Sequence, residues 1–241
     1  MRTCLCFPNR RPKPPRHSQE TDVPASAAVK PQNLIQKQRL PLTRRDRTLK
    51  KSIDLVGALF LLVLSAPVVF LLAVRIKLHD GCPAFFRRRV VGPRGEFDAY
   101  KLRTMRVDAD EVLRRDALLR RRFEVNYKLK DDPRITSVGA TLRRSGLDEL
   151  PQLWNVLKGE MSLVGPRMIT PMELKKYGDA CWIFSEMKPG LTGYWQTSGD
   201  QQAGYAPRIE MDLFYVENWS LWFDLKILIK TPARVLRGSG V

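Results

Sequence analysis

The chain has 241 residues, enough for one sizeable core or two small ones. It carries 42 Lys and Arg against 25 Asp and Glu, a formal charge of +17. That balance argues against an acidic, freely soluble metabolic enzyme and for an anionic partner: nucleic acid, a membrane surface or a phosphorylated substrate. At 44% hydrophobic residues the chain is not a wholly disordered basic protein.

The charge is unevenly spread. Residues 1–51 hold 13 Lys and Arg against 3 Asp and Glu, together with 7 of the 17 prolines. Residues 1–45 therefore read as a disordered basic arm, too poor in large apolar side chains to offset chain entropy. Cys4, Cys6, Cys82 and Cys181 form no CxxC pair, so reduced thiols are expected rather than a disulfide framework or a zinc ribbon.

Leu55 to Val74 is a run of 20 residues without a charge, about 30 Å long as a straight helix. Arg44, Arg45, Arg47, Lys50 and Lys51 precede it, and Arg75, Lys77, Arg87, Arg88 and Arg89 follow it. Both flanks ask for the cytoplasmic side, which a straight span cannot satisfy. A helix that enters, breaks and returns can, and Ser65 and Pro67 mark the break, because proline removes one helical hydrogen bond. The alternative is a kinked helix that spans. Asp54 is expected at the interface. The organisation read from this is a basic arm (1–45), a membrane-inserted helix–break–helix (46–80) and a cytoplasmic catalytic domain (81–241). The fold class is α+β, mostly helical with a small β-hairpin, in a monotopic membrane protein with one re-entrant helix.

Ala84 to Arg103 predicts that hairpin, turning at Gly92-Pro93-Arg94-Gly95. Asp108 to Phe123 predicts one helix, acidic at its start and basic at its end. Its carboxylates read as a solvated helix start rather than a metal site. Leu150 to Leu157 predicts a short helix with Leu150, Leu153, Trp154 and Leu157 on one face. Helices are also expected at Ile209–Tyr215 and Leu221–Leu236. The second suits either a bilayer surface or its own domain.

Thr141 to Arg167 carries the densest chemistry. Pro151 is tolerated only in a first helical turn, so a helix should start near residues 148–150, with Asp148 and Glu149 at its N-terminus. A carboxylate held ionised there can attack phosphorus, and its neighbour can hold a divalent cation. Arg143, Arg144, Lys158 and Arg167 are cations able to clamp phosphate oxygens. Lys188-Pro189-Gly190-Leu191-Thr192-Gly193 reads as a second phosphate loop with free backbone amides.

The motifs stand in an order that resembles the bacterial sugar transferases, monotopic phosphoglycosyl transferases. Lys50-Lys51-Ser52-Ile53-Asp54 with the Ser-x-Pro break, Tyr100-Lys101-Leu102-Arg103-Thr104-Met105, Asp132-Pro133-Arg134-Ile135-Thr136, the run Ser145 to Arg167, and Lys188 to Gly193 with Gln196 are each similar to a block of that family. The resemblance implies transfer of a sugar-1-phosphate from a UDP-sugar to polyprenyl phosphate, with release of UMP. It implies Asp148 as nucleophile through a covalent intermediate and Glu149 as the Mg²⁺ residue. Lys101, Arg143, Arg167, Lys188 and Gln196 would bind substrate or phosphate, and Asp212 and Asp224 would play supporting roles. It places the protein at the cytoplasmic face of the inner membrane among membrane lipids, without nucleic acid, and leaves homo-oligomerisation open. Arg88, Val90, Met168 and Asp200 depart from the family pattern. Val90, Met168 and Asp200 keep a degenerate scaffold open as a second reading, and the basic arm keeps open a membrane-anchored adaptor that binds lipids or nucleic acid.

Overall fold

A computed structural model describes residues 43–129, 131–198 and 204–236. The expected basic arm lies outside the described residues up to residue 42, as do Gly199 and Asp200.

The apolar run belongs to α1 (Arg44–Asp80), 37 residues and about 55 Å of helix. Thr43 caps its start: the Thr43 hydroxyl accepts from the Asp46 amide at 3.2 Å and the Asp46 carboxylate accepts from the Thr43 amide at 3.0 Å. Gly81, left-handed at φ 72°, ends it. The expected break does not unwind the helix. Residues 65–67 stay helical with Pro67 inside, and the Ser65 hydroxyl donates to the Leu62 carbonyl at 3.4 Å. That carbonyl lies one residue before Val63, whose own helical donor the proline removes. Val56, Phe60, Val63, Phe70 and Leu71 are each about two-thirds exposed, a surface suited to lipid rather than water.

Both ends of α1 are fastened to one globular body. Near the start, Asp54 is buried and accepts from the Ser162 hydroxyl and the Leu163 amide at 3.0 and 2.9 Å. It is thus an anchor to β3, its charge met by protein donors rather than left facing the apolar run. Lys50 donates to Asp224 at 2.6 Å and to the Val164 carbonyl at 2.9 Å. At the far end the Arg103 guanidinium makes two hydrogen bonds to Asp80, at 2.6 and 2.7 Å, and Ile76 packs with Leu102 and Leu142.

The hairpin forms where expected, as β1 (Phe85–Gly92) and β2 (Gly95–Leu102). Its register pairs Phe86 with Lys101, Arg88 with Ala99 and Val90 with Phe97. Paired residues share a face, so Val90 and Ala99 enter the core while Arg88 and Lys101 extend beyond it on the same side. Val90, one of the positions that depart from the resemblance, stands as a core residue. Met168, the other described departure in the loops, is likewise core.

The helix expected over 108–123 is two helices, α2 (Ala109–Arg115) and α3 (Ala117–Asn126). Asp116 between them is extended and accepts from the Leu119 amide at 2.9 Å, because aspartate serves better as a cap than inside a helix. Asp108 pairs with Arg106 and Glu111 with Arg114 and Arg115, as a solvated face would.

Next comes α4 (Ser137–Ser145), capped by Thr136, then a 3-10 turn (Leu147–Gln152) and α5 (Leu153–Leu157). Trp154 is exposed rather than sharing the buried face of Leu153. Asn155 docks α5 on the hairpin: its side chain accepts from the Tyr100 amide at 3.0 Å and donates to the Asp98 carbonyl at 2.8 Å. Strands β3 (Ser162–Val164) and β4 (Gly190–Thr192) pair in parallel. Between and after them come α6 (Leu174–Tyr177), a 3-10 turn (Gly178–Trp182), α7 (Ile183–Glu186) and α8 (Tyr194–Ser198).

The last helices are α9 (Tyr205–Glu217) and α10 (Leu221–Leu236). Of the two readings of α10, packing on its own domain is met by one face, and the other face stays exposed. Asp224 and Ile227 are buried against the domain, while Trp222, Leu225 and Ile229 form an exposed apolar stripe at helical spacing.

Gly139, inside α4, is set against the Thr104 backbone: a Cβ there would lie 2.0 Å from the Thr104 carbonyl oxygen. In an open helix Gly→Ala stabilises by about 1 kcal/mol. Here Gly139→Ala is expected to destabilise by about 1–3 kcal/mol through forced separation of α4 and the 104 loop. Thermal unfolding in detergent micelles checks this, and a raised midpoint would contradict the packing.

Candidate active site

The 3-10 turn after Gly146, where φ is 66°, presents two adjacent carboxylates with different surroundings. The expected helix start is this tighter turn, with α5 following it. Glu149 is saturated with positive charge. Arg167 grips it with both terminal nitrogens, at 2.8 and 2.5 Å, and the Lys101 ammonium donates to the same carboxylate at 2.7 Å. Burial opposes the charge on Glu149, but Arg167 and Lys101 outweigh it and hold the carboxyl well below the usual range. Its ionised form therefore stabilises the fold at neutral pH, a contribution lost only as pH falls through that depressed value.

Asp148 is the opposite case. It is 7% exposed and lines an open cavity of about 1510 Å³. Among the described residues no side chain or amide hydrogen-bonds its carboxylate. Burial pushes its carboxyl above the ordinary value, Lys101 pulls it down in part, and ionised Glu149 pushes it up again. One carboxylate is thus locked by cations, and its neighbour is left open to the cavity and more basic than an ordinary carboxylate.

The other expected residues divide. Arg143 lines the cavity, with its Nε donating to the Thr104 hydroxyl at 2.8 Å. Gln196 lines it too, with its amide donating to the Leu191 carbonyl at 3.0 Å. Arg144 is an exposed part of the wall. Lys158 is elsewhere, paired with Glu160 at 2.6 Å. Lys188 is also outside the cavity wall, with Asp54, Lys50 and Lys51 among its charged surroundings.

The loop expected to offer free amides to phosphate is packed instead. The Gly190 amide donates to the Pro166 carbonyl at 2.9 Å, and a Cβ on Gly190 would lie 2.1 Å from the Gly165 nitrogen. These glycines let two backbones approach. The approach presents Arg167 to Glu149.

Asp212 stands behind Arg167, accepting from its amide at 3.3 Å and from the Tyr177 hydroxyl at 2.8 Å. Burial raises its carboxyl to about 6. Asp224 is at the α1–α10 junction, held by Lys50, Tyr215 and Trp219.

Sequence reasoning missed a second polar cluster in the same wall. Buried Glu173 accepts from the Thr170 amide and hydroxyl at 2.8 and 2.7 Å, from the Tyr205 hydroxyl at 2.6 Å and from Arg88 at 3.1 Å. The Arg208 guanidinium lies 5.2–5.7 Å from the ring centres of Trp195, Tyr205 and Tyr177. Glu173 has no local motif. Arg88 was findable, since the hairpin register puts it on the face of Lys101.

Among the described residues no three His, Cys, Asp or Glu side chains converge as a metal cage. Glu149 has about four lone-pair positions, and its cations take three. One is left for Mg²⁺, which commonly binds through one or two carboxylates plus substrate phosphates. The donor set therefore fits an ion brought with a phosphorylated substrate.

Because the folded state raises the Asp148 pKa, its ionised form costs stability at neutral pH, and stability is recovered as pH falls through the raised value. Asp148→Asn is expected to raise the unfolding midpoint at pH 7. The gap to wild type should narrow on acidification. A lowered midpoint at pH 7 in differential scanning fluorimetry would contradict it.

Residues 45–238 match the bacterial sugar transferase family. The undecaprenyl-phosphate galactose phosphotransferase of Salmonella typhimurium is 44% identical over 202 residues, covering 82% of this chain and 42% of the relative. Exopolysaccharide production protein ExoY of Rhizobium meliloti is 44% identical over 199 residues, covering 79% of this chain and 87% of the relative. The UDP-glucose:undecaprenyl-phosphate glucose-1-phosphate transferase of Escherichia coli is 36% identical over 200 residues, with 79% and 41% covered. The chain thus spans less than half the length of the Salmonella and Escherichia relatives and most of ExoY. A match that reaches from the membrane-grade helix through the Asp148–Glu149 cavity to α10 makes this chain a member of the bacterial sugar transferase family.

Proposed function

We propose that the protein transfers a sugar-1-phosphate from a UDP-sugar to polyprenyl phosphate at the cytoplasmic face of the inner membrane, initiating polysaccharide or glycoconjugate assembly. The observation that carries this reading is the division of labour between Asp148 and Glu149. An Asp148 oxygen attacks the phosphorus that bears the sugar. The bond from that phosphorus to the bridging oxygen breaks, and UMP leaves with the electron pair. A phosphate oxygen of the lipid acceptor then attacks the same phosphorus and displaces Asp148, giving a polyprenyl diphosphate sugar. The intermediate splits one transfer between two bulky substrates into two smaller displacements. Glu149, through the lone pair its cations leave, is the residue that would hold Mg²⁺, which supplies charge neutralisation to the diphosphate. Arg143, beside Asp148 in the cavity wall, offsets the phosphate charge that would repel the nucleophile.

Membrane re-entry belongs to the same reading. Asp54 and Asp80 are 26 residues apart, about 39 Å along a straight helix, more than the roughly 30 Å of bilayer hydrocarbon. Yet both are tied to the same domain, Asp54 through β3 and Asp80 through Arg103. A straight spanning helix would part those two ends across the bilayer. Re-entry keeps them on one face and puts the Asp148 cavity at the headgroup plane, where a lipid phosphate waits.

Purified protein given a UDP-sugar, undecaprenyl phosphate and Mg²⁺ is expected to release UMP, and Asp148→Asn to lose at least about a thousandfold of that rate. With donor alone, intact-mass spectrometry should detect a sugar-phosphate adduct on wild type only. No UMP from any common UDP-sugar would overturn the enzyme reading in favour of a scaffold, and wild-type turnover by Asp148→Asn would overturn the nucleophile.

For topology, single cysteines replacing Arg45 and Lys77, in a chain otherwise free of cysteine, are expected to react with an impermeant maleimide from the same side. Labelling from opposite sides would exclude re-entry.

A further inference from the structure

Resting on that reading, the cavity's positive charges can be sorted by what already holds them. Lys101 and Arg167 are spent on Glu149. Arg103 is fixed by Asp80, Arg134 by a buried pair with Asp132, and Arg106 by Asp108. Arg208 is enclosed by rings and by the Arg167 and Met168 carbonyls. A diphosphate needs cations that are not already neutralised.

Arg88 meets that need. It projects from the same hairpin face as Lys101, diagonal to it in the register, and its charge is felt by both Lys101 and Arg143. Its side chain is 37% exposed in the cavity wall. Its hold on Glu173 is a single 3.1 Å contact, to an oxygen that already accepts two shorter bonds from Thr170. The other Glu173 oxygen accepts from Tyr205. Glu173 therefore keeps its hydrogen bonds when Arg88 leaves it, and the Arg208 guanidinium, 3.9 Å away, remains as its nearby cation. A guanidinium with two further donor edges is free to close on an anion.

We propose that Arg88 is a substrate-binding residue that exchanges Glu173 for a phosphate of the nucleoside diphosphate donor, opposite Arg143. Glu173 is the resting counter-ion that keeps this cation in place and solvated at the cavity wall while the donor is absent. The arginine gives this chain a charged phosphate contact from the hairpin.

The test is equilibrium binding of UDP and of uridine to the full chain in nanodiscs, for wild type and Arg88→Gln, with thermal midpoints recorded alongside. Arg88→Gln is expected to weaken UDP about tenfold to a hundredfold, the worth of one charge-assisted contact. It should leave uridine unchanged within twofold and flatten the salt dependence of UDP affinity, and adding Glu173→Gln, which removes the carboxylate left without Arg88, should restore the wild-type midpoint without restoring UDP affinity. Arg88→Lys should recover part of the loss. UDP affinity unchanged in Arg88→Gln while wild type turns over donor would overturn this inference alone. Equal losses for UDP and uridine, or a lowered midpoint that accounts for the loss, would assign Arg88 a structural role and also overturn it. Absence of UDP binding to wild type would overturn the proposed function and this inference with it.

Discussion

The buried triad of Glu149, Lys101 and Arg167 is the constraint from which the site follows. Three charges removed from water each carry a desolvation cost of several kcal/mol, and only close mutual pairing offsets it. Each member comes from a different segment: the outgoing hairpin strand, the 3-10 turn and the loop after β3. The triad can therefore form only when the hairpin, the turn and the glycine-lined β3–β4 contact are all in register. Asn155, bonded to the hairpin backbone from α5, and the close approach of Gly165 and Gly190 serve that register.

The triad also explains why two adjacent carboxylates behave differently. The cations are positioned to bond Glu149, and Asp148 receives only their through-space field. It remains buried without a donor, so it keeps its basicity and an unobstructed approach from the cavity. Stability is given up at Asp148 and held at Glu149, a pattern common where a fold keeps a reactive group ready. Asp212, behind the Arg167 main chain, supports the arrangement from the core without reaching the cavity.

The membrane segment is joined to this site by buried polar contacts rather than by a linker. Asp54 accepts from the first residues of β3, and the loop after that strand carries Arg167. The long apolar helix is thus fixed to the strand that leads to the Arg167 loop. Lys50 and Asp224 fix α10 to the same junction, so its exposed Trp222, Leu225 and Ile229 stripe is held relative to α1. Charge in this chain is divided: part of it flanks the apolar helix, part locks Glu149 and part lines the Asp148 cavity.

Local pattern alone was enough for the apolar helix, the hairpin with its Gly-Pro-Arg-Gly turn, α10 and the Asp148–Glu149 pair, because periodicity and turn chemistry act within a few residues. The same local rules misjudged Asp116, which restarts a helix, and Trp154, which a helical face would have buried. They also read the Gly190 loop as an anion cradle, since a glycine that frees amides and one that admits a neighbouring backbone look alike in a row of letters. What only the tertiary structure decided is the partner of each charge. Lys101 meets Glu149 across 48 residues, Arg88 meets Glu173 across 85 and Asp54 meets Leu163 across 109. Such pairings depend on the path of the whole chain, and desolvation makes them all-or-none. That is why Lys188, promising in its motif, lies outside the cavity wall, and why Arg88, read only as a flanking charge and a departure from pattern, lines it.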